Sequence, residues 1–559
     1  MQKNCRQCQQ DFEITADDLN FLEHVSPVFN GNKELVPPPT LCPFCRMQRR
    51  LSWRNERKLY HRKCDATSKE IISIYSPDKP FRVFNKEYWW SDDWNPEKYG
   101  VEYDFSRPFF DQFQELMQKA PRVALLNSNC ENSDYAHNAT KNKDCYLLFC
   151  GSWDELCLYC YWTQNSTSCV DCSGVNFCEQ CYECVDCSRC YQLFWSQNCY
   201  NCNDSQYLLD CVSCSNCMAS VGLRNTSFRW LNKQLAKEEY ENRLRRWKEA
   251  PGFREETAQA FEKLKSECVR PWAQQRMTEN CSGDYIIESR DCHDCFDAKQ
   301  SENCRYCQNV VSLKDSMDVT FFGYNTELIY DTTNVGQNSY HLLFHCFGYG
   351  SKECIYCDNV HYSDHCFGCT SLHHKQYHIL NKQYTEEEYG KLVPKIIEQL
   401  RQSGQWGEFF DTKLSPFGYN ETPAQEHIPL SKSEVLGKGW QWHDEVDEEP
   451  KVSKVISARD LPEDVDAIPD DIVNWAVKCD VTKRPFRIVK QELDFYRRMH
   501  LPVPHLHPDE RHKRRTDLRN PRKLWNRECA KCGKPIETSY APDRPEIVYC
   551  ENCYLKEVY

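Results

Sequence analysis

Between Cys130 and Cys217 the chain repeats on a period of three. Seventeen cysteines fall in this stretch, and sixteen share one frame modulo three; only Cys150 departs. The pairs Cys157/Cys160, Cys169/Cys172 and Cys181/Cys184 follow one another at a constant step of twelve, and Cys199/Cys202 to Cys211/Cys214 repeats it. Asn, Asp, Ser and Tyr fill the intervening positions, as turns and outward faces require. A 12-residue step is too short for a helical-hairpin repeat and too regular for loops. It predicts the small coils of a β-solenoid, with equivalent residues stacked about 4.8 Å apart. Inward cysteines would then form a column of small buried side chains.

The same step returns further on, in Cys292/Cys295 to Cys304/Cys307 and in Cys354/Cys357 to Cys366/Cys369. Both halves open alike (NCENSDY at 129–135, NCSGDY at 280–285) and close alike on LNKQ at 231–234 and 380–383. This is an internal duplication. Each half is expected to end in helix. Thr385 with Glu388 forms a capping box before the second, whereas Ala236 leaves the first uncapped. In the first, Pro251-Gly252 splits the helical pattern in two. The eight cysteines Cys292, Cys295, Cys304, Cys307, Cys354, Cys357, Cys366 and Cys369 are candidates for further metal sites. Reduced thiols or disulfides are the alternatives. His341, His345, His361, His365, His373, His374 and His378 form a further cluster, either a metal site or exposed coil faces.

The chain ends carry different spacings. Cys529-x2-Cys532 and Cys550-x2-Cys553 have the separation of a structural zinc site, in which four thiolates close a tetrahedral ion. Cys5-x2-Cys8 and Cys42-x2-Cys45 repeat the knuckles across a longer loop. With Phe12, Phe21, Pro39 and Arg46, this segment resembles the small bacterial "probable zinc-ribbon" family over about residues 1–50. That resemblance implies a zinc-binding domain. The whole chain also resembles cysteine-repeat proteins of candidate-phyla bacteria, through PPPTLCPFCR, RNERKLY, RNPRKLW and YAPDRPEIVYCENCYLKEVY; no function comes with it.

The two ends are copies. Residues 42–64 align without a gap on 507–529, with 11 of 23 positions identical. Each end reads as two units in tandem. The first copy keeps the ligands of its leading unit and the last copy those of its trailing unit. Cys64, Thr67, Asn85 and Tyr88 stand at the lost positions of one; Cys479, Thr482, His507 and Glu510 stand at those of the other. A basic stretch persists in both copies: Arg46, Arg49, Arg50, Arg54, Arg57 and Lys58 match Arg511, Arg514, Arg515, Arg519, Arg522 and Lys523. The first stretch is expected to begin a helix after its knuckle, with its arginines on one face. Such a face suits a phosphate backbone, or internal pairing with the chain's acidic residues.

Composition adjusts this picture. The 559 residues carry 38 cysteines and a net charge of −13, too long for one core. No apolar leader opens the chain and no run is apolar enough to span a membrane, so a cytoplasmic setting with reduced thiols is expected. Residues 443–471 hold 11 acidic and three basic residues.

The expected fold is multidomain and mainly β, with zinc-ribbon or treble-clef-like modules at both ends flanking a cysteine-rich β-solenoid with helical caps. The expected order is a zinc-ribbon unit over 1–63, a degenerate unit and connector over 64–124, a solenoid half over 125–232 and a helical cap over 233–275. A second half over 276–383, a cap over 384–406 and an acidic, partly ordered linker over 407–475 follow. A degenerate unit with its basic helix (476–528) and a zinc-ribbon unit (529–559) end the chain. No catalytic constellation is recognised. The expected function is a non-enzymatic scaffold holding two structural zinc ions and contacting RNA or an RNA–protein assembly through the basic modules. A protein–protein scaffold using the solenoid face is the alternative, and a metal-dependent enzyme or metal store a third.

Overall fold

The computed structural model describes residues 1–444 and 451–559. The chain is multidomain and built mostly of short strands, with 12 α-helices among the described residues. Across most of the middle, strands pair in parallel at a common offset, that of the sequence repeat. Tyr161 lies beside Ser173, Asn203 beside Ser215, Cys292 beside Cys304 and Asp358 beside Thr370. Each rung bonds to both neighbours: Tyr159 N–H donates to Tyr146 O at 2.9 Å, and Tyr146 N–H to Cys157 O at 3.1 Å.

The period of three has a backbone cause. Trp153, Leu156, Tyr159 and Trp162 all have positive φ, between 55° and 58°. Every third residue is thus a left-handed corner, and each turn of the ladder contains four of them. A non-glycine residue held there costs about 1 kcal/mol or more; the ladder on both sides enforces it. The residue after each corner points inward. One rung places Cys181, Cys184, Cys187 and Cys190 there, all at most 2% exposed. Most inward side chains of the first ladder are small, with Leu148, Leu193 and Leu208 as buried larger members of the same column. The thiol also has a partner: Cys160 Sγ donates to Leu158 O at 3.3 Å and Cys169 O at 3.4 Å, and its neighbours repeat the pattern. Inward serines behave alike, Ser205 Oγ donating to Asn203 O at 2.7 Å.

The second ladder is interrupted twice. Thr333 Oγ1 donates to Thr320 O at 3.1 Å across the first insertion, and Glu327 pairs with Tyr340 across the second, steps of 13. Extra left-handed residues at Asn325 and Asn338 absorb the insertions.

Helices close the ladders. Lys237–Glu249 and Pro251–Glu267 bury Tyr240 and Phe261 against Met218, Val221 and Trp230. Glu386–Gln402 begins at the Thr385/Glu388 capping box and buries Ile396, Ile397 and Leu400. Among the described residues, no helix is long and apolar enough to cross a membrane. The stretch 407–475 differs from the partly ordered linker expected of it. Phe409, Phe410 and Phe417 join a core with Trp53 and Phe113, Tyr419, Val435 and Trp440 cover Met47 and Leu51, and Ile468 and Ile472 pack with Tyr182. Its acidic charge hides an aromatic content sufficient to bury. Residues 445–450 of the acidic run lie outside the described residues.

Candidate metal centres

Four knuckle turns recur with one hydrogen-bond pattern. Gln9, Ser68, Lys483 and Gly533 are all left-handed. Their N–H groups donate to Cys5, Cys64, Cys479 and Cys529 O at 2.8–3.1 Å, and those four cysteines donate back to Gln10, Lys69, Arg484 and Lys534 O at 2.8–3.0 Å. Only two of the four turns carry a full set of thiols. Cys5, Cys8, Cys42 and Cys45 bring their sulfurs within 4.8 Å of one another, as do Cys529, Cys532, Cys550 and Cys553. Cys8 and Cys42 Sγ are 3.7 Å apart, and so are Cys532 and Cys550 Sγ. Thiolates at the Zn–S length of about 2.3 Å would be about 3.8 Å apart in a tetrahedron. The donor set and spacing therefore fit a metal ion such as zinc, held in a closed, structural manner.

Helix ends assist. Cys42 is the N-cap of helix Pro43–Leu51 and Cys550 that of Glu551–Val558, where the helix dipole favours a thiolate. Hydrogen bonding from Cys45 brings Cys42 down to about 5. Burial opposes the shift at Cys529, yet backbone N–H groups at Cys550, Cys532 and Lys531 lower it to about 6. In the degenerate units Cys64 Sγ accepts from Asn85 N at 3.3 Å instead. His507 Nδ1 accepts from Asp509 N at 3.1 Å and caps its helix.

Among the described residues, those two quartets are the groups placed for a metal. The candidates Cys292, Cys295, Cys304, Cys307, Cys354, Cys357, Cys366 and Cys369 sit in the inward column. Their thiols turn to backbone carbonyls, as Cys295 Sγ does to His293 O at 3.4 Å. The histidines do not gather into a ligand set. His345, His361 and His378 are buried, and His365 pairs with Asp364 at 2.7 Å.

Most residues of the basic stretches are not where a phosphate backbone could reach them. The helix Pro43–Leu51 ends before Arg54 and Arg57 and lies on the second ladder. Arg46 and Arg50 share Asp318, at 2.7 and 2.9 Å; Arg50 also reaches Asp331 at 3.0 Å and Arg49 meets it at 2.7 Å. Arg54 is buried with Glu56, its guanidinium 3.8 Å from the Phe321 ring centre. The C-terminal copy does the same to the first ladder. Arg511 and Arg515 share Asp171, Arg515 at 2.8 Å. Arg519 pairs with Asp186 at 2.8 Å and with Asp297, which Arg522 meets at 3.2 Å. Burial would raise Asp297, but Arg519 and Arg522 hold it below the usual carboxylate range. The two modules divide the ladders unequally: Arg46, Arg49 and Arg50 of the N-terminal module grip the second ladder, whereas the C-terminal module grips the first through Arg511 and Arg515 and reaches the second through Arg519 and Arg522 on Asp297. Arg57 and Lys58 bridge the two modules through Asp509, at 3.2 and 3.5 Å. Of the twelve basic candidates, Arg514 and Lys523 are exposed. Sequence reasoning missed the gripping aspartates. The signal was present, since Asp171, Asp318 and Asp331 all stand at left-handed corners, outward positions in the period of three.

No family model and no curated protein matches the chain. Among solved structures, a protein of Desulfovibrio desulfuricans G20, described provisionally as an acetyltransferase, aligns at 8% identity over 42% of this chain, with a TM-score of 0.10. The chain spans 64% of that structure's length. At that score the likeness carries no argument.

Proposed function

We propose that this chain is a non-enzymatic binding scaffold of the cytoplasm, in which two zinc-ribbon modules lock a pair of cysteine-lined β-solenoids into one rigid platform. The observation that carries this reading is the set of arginine–aspartate clamps that ties both metal modules to the ladders. Residue types suited to phosphate are engaged by corner aspartates, so the metal modules act on the ladders rather than on a nucleic acid backbone. The ladders' remaining outward faces are the binding surface, and a protein partner fits that role best. The test is hydrogen exchange of the full chain with and without its zinc. Ladder amides should lose protection when the metal is chelated. Unchanged protection throughout both ladders would sink the locking role.

RNA contact is a second reading, favoured by one observation. Arg57 and Lys58, alone of the basic candidates on the first copy, line an open cleft rich in aromatic rings.

A further inference from the structure

The cleft lies where the N-terminal module, the start of the first ladder and the C-terminal module meet. Its volume is about 740 Å³, within the usual range for small-molecule sites. The floor is a run of rings in edge contact. Tyr135 and Tyr146 are 5.2 Å apart by ring centres, and Tyr146 and Tyr159 5.6 Å. Tyr60 stands at the rim against His443 at 5.4 Å, and Phe149 and Phe486 complete the apolar lining. Cations come from both copies: Arg57 and Lys58 from one, Arg484 and Arg487 from the other.

Among the described residues, the acidic ones in the lining are Asp78, Asp444 and Asp509. Three of the cations converge on Asp509, with Arg484 at 3.1 Å, Arg57 at 3.2 Å and Lys58 at 3.5 Å. Burial opposes it, but Lys58, Arg57, His507 and Arg484 hold that carboxyl far below its usual range. A second anion entering here shares those cations with Asp509 and meets Arg487 as well. Arg487 is exposed and donates to Val473 O at 2.9 Å.

We infer that this cleft binds a nucleoside phosphate, as a free nucleotide or as one unit of an unpaired strand. Tyrosine faces accept any base by stacking, worth about 1–3 kcal/mol per base, while arginines hold the phosphate. An acidic peptide would use the cations and leave the rings idle. The inference rests on the reading of the chain as a binding scaffold and supplies one ligand class for it.

The experiment is a fluorescence titration of the full, zinc-loaded chain with AMP, a ten-nucleotide unpaired RNA, duplex RNA of the same length and a polyglutamate peptide. AMP or the unpaired RNA should bind and the duplex should bind at least 10-fold more weakly. If only the RNA binds, the source is a strand; if AMP binds as tightly per site, it is a free nucleotide. Arg487→Glu and Tyr135→Ala should each weaken binding about 10-fold, while Arg514→Glu, outside the cleft, should leave it unchanged. Polyglutamate binding without nucleotide binding, or nucleotide binding insensitive to both cleft variants, overturns the inference. Metal-dependent ladder protection is measured separately, so this failure leaves the scaffold reading standing.

Discussion

Arg50 and Asp318 meet at 2.9 Å with both side chains wholly withdrawn from solvent, 268 residues apart in sequence. A buried pair adds little over an apolar match, but removing one partner leaves an uncompensated charge costing about 3–5 kcal/mol. Arg50→Ala or Asp318→Ala should therefore lower the thermal midpoint and free the N-terminal module to proteolysis. The double variant Arg50→Met/Asp318→Leu should recover only part of the loss, because it leaves buried Arg46 without Asp318. Single variants with an unchanged thermal midpoint and unchanged protease resistance would refute the clamp.

The fold was legible where the side chains repeat. The frame of three at 130–217 and the 12-residue step follow from backbone geometry, and both quartets of cysteines were readable from spacing. The left-handed corner was not readable, because non-glycine residues occupy it and only the ladder holds them there. The destination of the arginines was also hidden. Arg46 and Arg50 share a helix face, but whether that face meets solvent or Asp318 depends on contacts between segments far apart in the chain. Net charge misled over 407–475 because Phe409, Phe410 and Trp440 matter more to packing than the carboxylates between them.

Elemental analysis should find two zinc ions per chain, with the 30 cysteines outside the quartets titrating as free thiols after denaturation. Cys42→Ala should remove one ion and Cys550→Ala the other, while Cys295→Ala removes none. Closed thiolate sites contribute folding free energy directly, about 10–16 kcal/mol in small zinc peptides. Chelation should therefore expose both chain ends to protease. A count of six or more would mean that the ladder thiols bind metal.

The inward column of the first ladder is mostly small side chains, with Leu193 one coil beyond Cys181. Cys181 is fully buried, and its thiol reaches Glu179 O at 3.5 Å and Cys190 O at 3.7 Å. Serine already fills equivalent positions at Ser166 and Ser205 with the same carbonyl bond. Cys181→Ser should then cost about 1 kcal/mol or less, whereas Cys181→Leu stacks a second large side chain directly on Leu193 of the next coil and should cost about 1–3 kcal/mol. Chemical denaturation followed by far-ultraviolet circular dichroism measures both. Leucine tolerated as well as serine would mean that this column holds two large side chains on consecutive coils without strain.

Acid should destabilise the protein through its buried histidines. Desolvation lowers His345 to about 3, and desolvation with the nearby Arg54 lowers His137 to about 3. Among the described residues, neither nitrogen of His345 finds a hydrogen-bond partner. The unfolded chain takes up these protons near pH 6.5 and the folded chain only near pH 3. Stability is therefore unaffected above pH 6.5 and falls as pH drops toward 3, by at most about 1.4 kcal/mol per pH unit for each histidine. Glu183, raised to about 7 chiefly by burial, and Asp186, raised to about 6, act in the opposite sense over part of this window. The net slope of the wild-type chain is thus a poor measure. The difference between wild type and His345→Leu isolates one group. The variant's midpoint should fall less steeply than the wild type's between pH 6.5 and 5, with the two slopes equal above pH 7. Parallel curves across the whole range would show that His345 does not stay neutral in the fold.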